Sequence, residues 1–145
     1  MTIAIFGNPY PEHFSKYIQH LIKKLETEHI NLIIEEGFSL FLRNNVRFNK
    51  SSGTFKSYET LKDKADFLFS IGGDGTLLKA VTYVRESNIP ILGINTGRIG
   101  FISSISTDQI DVAVDNVLKG EYKIRSRTVL QLETEKTEYL NSKVQ

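Results

Sequence analysis

The sequence contains no cysteine, which excludes a disulfide framework and any zinc site built on thiolates. Long hydrophobic runs are also missing. The first apolar stretch, Ile3 to Phe6, is far too short for a signal-peptide core, and no stretch approaches bilayer-crossing length. The cytoplasm is the expected location. Neither charge is in excess: 18 basic side chains stand against 17 acidic ones, a net +1. That balance gives no reason to expect DNA, RNA or an anionic membrane as partner. What is present suits a globular fold. Hydrophobic residues make up 40% and charged residues 24% of 145 positions, enough for a core without a metal or disulfide staple. The length fits one domain, or one domain and the beginning of another.

Periodicity along the chain predicts an alternation of strands and helices. Thr2 to Phe6 reads as a buried strand, stopped by the turn cluster Gly7-Asn8-Pro9. From Glu12 the spacing of Phe14, Tyr17, Ile18, Leu21, Ile22 and Leu25 becomes that of an amphipathic helix. Asn31 to Glu35 reads as a second strand, with a short helix from Gly37 through Leu42. Arg43 to Glu59 has little periodicity and reads as a loop or a mobile segment; Arg43, Arg47, Lys50 and Lys56 make it basic. Ala65 to Ile71 is an apolar strand, Thr76 to Glu86 a helix, and Ile91 to Ile94 another strand. Strand, helix, strand in this order is a βαβ unit, which requires a mostly parallel sheet with helices on both faces. Asp108 to Lys119 is helical, with Gly120 as its stop. Lys123, Arg125 and Arg127 alternate as on one strand face. Val129, Leu130 and Leu132 lie in a β-prone run, with a polar turn from Glu133 to Glu138. The expected organisation is an α/β nucleotide-binding domain over 1–121 and the start of a β-rich domain over 122–145.

The chemistry concentrates at Gly72-Gly73-Asp74-Gly75-Thr76, between a strand and a helix. Glycines there permit unusual dihedrals and let a ligand approach the backbone closely. The opening helix presents N–H groups and a positive dipole end, a natural seat for phosphate. Asp74 is the odd member, because a carboxylate beside phosphate is repulsive unless it has other work. In phosphoryl transfer an aspartate accepts the proton of the attacking hydroxyl or holds Mg²⁺; the plainer alternative is a helix cap. A dehydrogenase fingerprint fits poorly. Leu78 stands where the third glycine belongs, and the neutral Asn95 where an acid should end the next strand. A Walker A loop fails too, for want of Gly-Lys-Ser/Thr.

A second cluster, Asn95-Thr96-Gly97-Arg98-Ile99-Gly100-Phe101, follows the next strand. Asn and Thr offer hydrogen bonds, the glycines allow close approach, and Phe101 offers a flat apolar face for a base. An ordinary loop with Phe101 in the core is the alternative.

Together the two clusters resemble the NAD kinase family, within a wider group that includes phosphofructokinases and diacylglycerol kinases. The wider group shares Gly72 to Thr76. The narrower resemblance is Ile94 to Phe101, in which Ile99 takes the place of the usual leucine. The resemblance implies phosphoryl transfer from ATP or polyphosphate to the 2′-hydroxyl of the adenosine ribose of NAD, giving NADP. It implies Asp74 as proton acceptor, Gly73, Gly75 and Thr76 lining the ribose and phosphates, and Lys79 as a phosphate contact. Asn95 would contribute to the nucleotide site and Phe101 would pack on the dinucleotide, with Mg²⁺ accompanying the donor. A homo-oligomer is expected, and no metal ligands within the chain itself. The family continues into a β-rich domain with an Asn-Glu or Asn-Asp pair, which is not found here. The chain is therefore expected to be a piece of a longer kinase.

The rivals are a lipid or sugar kinase sharing the first glycine turn, and a module that binds dinucleotide without transferring phosphate. His13, His20 and His29 are expected at the surface rather than on a metal. Arg43 to Lys56 is expected to be solvated rather than a lid.

Overall fold

The computed structural model describes residues 1–48, 53–97, 100–102 and 105–130. Six strands form one parallel sheet: β1 (Thr2–Gly7), β2 (Asn31–Glu35), β3 (Gly53–Phe55), β4 (Phe67–Ile71), β5 (Ile91–Asn95) and β6 (Ile105–Ser106). Their spatial order is β3-β2-β1-β4-β5-β6. The chain runs outward from β1 to β3, crosses back to β4 and runs outward again. Right-handed crossovers then place helices on opposite faces for the two halves.

Side-chain alternation along the strands makes the two cores. On one face Ile3, Ile5, Leu32, Ile34, Phe67 and Phe69 are buried. They lie under α1 (Ser15–Thr27), α2 (Glu36–Asn45) and α5 (Ile110–Lys119). On the other, Ala4, Phe6, Ile33, Phe55 and Leu68 are buried beneath α3 (Tyr58–Leu61) and α4 (Asp74–Val84). A parallel sheet covered on both faces explains why its strands read as continuous apolar runs. Helix α5 returns to the first face and docks on α1 through Lys24–Asp115 at 2.7 Å and His20–Asp111 at 2.8 Å. Gly120, at φ 75°, ends it in the left-handed conformation. Among the described residues no helix is long and apolar enough to cross a membrane.

The stretch Arg43 to Glu59 is not wholly loop. Its first residues finish α2, Gly53–Phe55 forms the edge strand β3, and Ser57 opens the single turn α3 through a capping box with Thr60. Three residues are too few to display a period. What anchors β3 is tertiary: Phe55 is fully buried and pairs with Glu35. Residues 121–130 carry no strand, and Lys123, Arg125, Arg127, Val129 and Leu130 are all exposed. They pair with no strand among the described residues, and an isolated pair is marginal in water. Leu132 and the turn from Glu133 to Glu138 lie outside the described residues.

Candidate functional site

Strands β1 and β4 are neighbours, yet the chain leaves them in opposite directions across the sheet. The crevice beyond their carboxyl ends is where doubly wound sheets bind ligands. Two turns meet there. Gly72 has φ 151°, and a Cβ on it would collide with the Thr76 side chain. Its N–H donates to the Ile94 carbonyl at 2.9 Å, which ties the turn to β5. Thr76 is only 5% exposed. Its hydroxyl accepts from the Asn8 side-chain amide at 3.0 Å, so it braces the β4 turn against the β1 turn. The flanks of Gly73 and Gly75 face open space.

Asp74 does not cap its helix. It is the first residue of α4, and the capping position belongs to Gly73, which has no side chain to cap with. The Asp74 carboxylate instead accepts two backbone amides from the second glycine cluster: Phe101 N–H to Oδ2 at 2.7 Å and Ile102 N–H to Oδ1 at 3.1 Å. Gly100 makes this approach feasible, since a Cβ there would land on the carboxylate. The negative charge also sits favourably at the positive end of α4.

The second cluster is shaped from within. Asn95 is 7% exposed, and its Oδ1 accepts the Gly97 N–H at 2.8 Å, a local side-chain turn that redirects the chain after β5. Thr96 is buried beside it. Phe101 is fully exposed, its ring outside the core while its amide is held by Asp74. Arg98 and Ile99 lie outside the described residues. Lys79, one helical turn beyond Gly75, is exposed and carries its ammonium 5.7 Å from the centre of the Phe6 ring. Among the described residues no carboxylate forms an ion pair with it.

Sequence patterns did not single out Glu35, Tyr83 or Asn8, although all three border this crevice. Glu35 ends β2 and caps α2, its Oε2 accepting the Phe38 N–H at 2.8 Å. The Tyr83 hydroxyl reaches its Oε1 at 3.5 Å. Burial first, and the nearby Glu35 carboxylate second, hold the Tyr83 phenol above its ordinary value. An acid at the end of a strand, just before a helix, is the signal that could have drawn attention to Glu35.

The structure thus brings Asp74, Gly73, Gly75, Thr76 and Lys79 together in the first half of α4 and its cap, and sets Gly100 and Phe101 against Asp74. It leaves the histidines apart, exposed on or beside α1. Among the described residues no group of three His, Asp or Glu side chains could cage a metal ion.

Comparison with known proteins gives a consistent pattern. A family model described as the ATP-NAD kinase N-terminal domain matches residues 3–122. The NAD kinase of Christiangramia forsetii is 37% identical over 139 residues, covering 96% of this chain and 47% of that protein. That of Flavobacterium psychrophilum is 40% identical over 132 residues, covering 91% and 45%. The chain spans about half the length of the curated relatives it matches. The crystal structure of yeast NADH kinase complexed with NADH shares the fold, with a TM-score of 0.68 at 18% identity over 83% of this chain and 38% of that one. By the family match over residues 3–122 and these relatives, the chain belongs to the NAD kinase family.

Proposed function

We propose that this protein takes part in phosphoryl transfer from ATP or polyphosphate to the 2′-hydroxyl of the adenosine ribose of NAD, giving NADP. The observation that carries this reading is the Asp74 carboxylate, fixed by the Phe101 and Ile102 amides beside the open flanks of Gly73 and Gly75. Relatives named NAD kinase, and a yeast NADH kinase of like fold seen with NADH, supply the substrate class.

In this mechanism the 2′-hydroxyl gives its proton to Asp74 as the oxygen attacks the γ-phosphorus. The new O2′–P bond forms as the bond between that phosphorus and the β,γ-bridging oxygen breaks, and ADP leaves with the bridging oxygen. Fixing the base in advance is what makes such transfer efficient. Gly73 and Gly75 admit phosphate oxygens to the N-terminus of α4, Lys79 adds a positive charge, and Phe101 offers its exposed ring to the dinucleotide. Mg²⁺ is taken to travel on the donor's phosphates. Residues 122–145 are read as the start of a β-rich second domain.

The reading places the enzyme in the cytoplasm, where ATP and NAD are both abundant, and as a homo-oligomer, which sedimentation would test. The decisive assay is NADP formation with wild type and Asp74→Asn. Loss of about 100-fold or more in turnover, with NAD affinity within a few-fold, is expected. Unchanged turnover in the variant overturns it.

A further inference from the structure

Glu35 has a role in the fold, but that role does not account for its length. The ordinary side chains at a helix N-cap are Ser, Thr, Asp and Asn. Glutamate reaches the Phe38 amide with Oε2 and holds a second oxygen, Oε1, whose hydrogen bond among the described residues is from the Tyr83 hydroxyl, at the outer limit of 3.5 Å. The setting makes this oxygen conspicuous. Ile5 pairs with Ile34, which brings Phe6 level with Glu35, and Glu35 pairs with Phe55 on its other side. Tyr83 packs on both flanking rings, with centroids at 4.9 and 5.4 Å. A half-buried carboxylate between aromatic side chains costs solvation, and an ionised carboxylate only accepts hydrogen bonds. Its complement is therefore a donor such as a hydroxyl, and a phosphate is excluded by charge.

The sheet order supplies the rest of the ligand. The sequence β3-β2-β1-β4-β5-β6 is the doubly wound order in which an acid at the end of the second strand accepts from ribose hydroxyls. Counted from β1, that acid is Glu35. Strand β1 separates it from the glycine turn of β4, a span of about 10 Å at ordinary strand spacing. Midway, at the end of β1, the Lys79 ammonium stands over Phe6 without a carboxylate ion-pair partner among the described residues. A hydroxyl-reading acid, then a cation, then the open flanks of Gly73 and Gly75 form a track for a nucleotide with its phosphates extended.

We infer that Glu35 binds the ribose hydroxyls of the phosphoryl donor, a nucleoside triphosphate whose chain passes Lys79 to reach Gly73 and Gly75. The direction of the chain rests on the kinase reading above. It makes the donor a nucleotide rather than polyphosphate, which has no ribose to offer.

The test is calorimetric binding of ATP, 2′,3′-dideoxy-ATP and tripolyphosphate to wild type and Glu35→Gln. The amide retains one oxygen for the Phe38 N–H, and a thermal melt checks that the fold survives. Wild type is expected to bind ATP about tenfold more tightly than either analogue, the scale of a hydrogen bond to a charged group. In Glu35→Gln that preference collapses toward parity. Absence of ATP binding, equal affinity for ATP and its dideoxy form in wild type, or a preference that persists in the variant overturns the inference. The wild-type comparison needs no variant to fold. A Glu35-dependent ribose preference with unchanged turnover in Asp74→Asn would leave this subsite standing and remove the Asp74 mechanism, so the two failures are distinguishable.

Discussion

The carboxylate of Asp74 accepts the backbone N–H of Phe101 at 2.7 Å across 27 positions of sequence. That bond joins the loops after β4 and β5 into one unit, because the Ile102 amide occupies the other oxygen. The position of this carboxylate is thus held by backbone amides of Phe101 and Ile102, and by the absence of a side chain at Gly100.

Replacing Gly100 with alanine tests this coupling. The added methyl would overlap the Asp74 carboxylate and force the loop or that carboxylate to move. A displacement near 1 Å at a catalytic group costs about 100-fold in rate. Gly100→Ala is expected to lower kcat on that scale while changing the melting temperature little, since Gly100 is only half-buried in a loop. A kcat equal to wild type would show that Asp74 does not need the clasp.

How much of this was legible follows from the range of each interaction. The strand Ala65 to Ile71, the glycine turn and the helix after it are local in sequence, and periodicity located them to within a few residues. Helix α4 starts at Asp74 rather than Thr76, because a glycine-rich first turn shows no apolar period. The edge strands β3 and β6, of three and two residues, were illegible for the same reason. Their anchors are contacts with distant strands.

The site was legible as residue types and illegible as partnerships. Sequence marked Thr76 as a lining residue, but its hydroxyl already accepts from Asn8, 68 positions away. Sequence marked Asn95 as a hydrogen-bonding residue, and its Oδ1 is turned back onto the Gly97 amide. Counted from the glycine turn, the end of the next strand is the neutral Asn95, because strand order is invisible in sequence. Counting from β1 reaches Glu35 instead.

The docking of α5 on α1 predicts a pH dependence. The hydrogen bond from Lys24, partly opposed by desolvation, holds the Asp115 carboxyl below its ordinary value of 3.8, with further help from the Lys24 and Lys119 charges. The same hydrogen bond holds Lys24 above 10.5, with Asp111 and Glu28 adding to it. A depressed acid contributes stability that is present above its unfolded value and lost as pH falls through the folded one. A raised lysine contributes stability present below its unfolded value and lost as pH rises through the folded one. Both contributions are complete near neutrality. Asp115→Asn should melt slightly below wild type at pH 7, with the gap closing in acid below Asp115's folded value. High salt should shrink it at pH 7, as Asp115 is exposed and Lys24 is only partly buried. A gap constant across pH and salt would show that the ion pair does not hold α5.

A final prediction concerns Ser70, whose side chain lies beneath α4 in the row that also contains Phe6 and Gly93. Small residues at 70 and 93 let a helix approach the sheet closely, and Ala80 on α4 is fully buried. The Ser70 hydroxyl is buried with no hydrogen-bond partner among the described residues. An unsatisfied buried hydroxyl costs about 1–3 kcal/mol, against a small loss of packing when one oxygen is removed. Ser70→Ala should therefore gain about 1 kcal/mol, a rise of about 2–4 °C in Tm for a chain of this size. Ser70→Val, which adds bulk under α4, should lose about 1–3 kcal/mol by overpacking. Urea melts of the two variants give opposite shifts if the hydroxyl is a structural burden. A destabilised Ser70→Ala would mean instead that the hydroxyl is satisfied in solution, and the close approach of α4 would then depend on that bond.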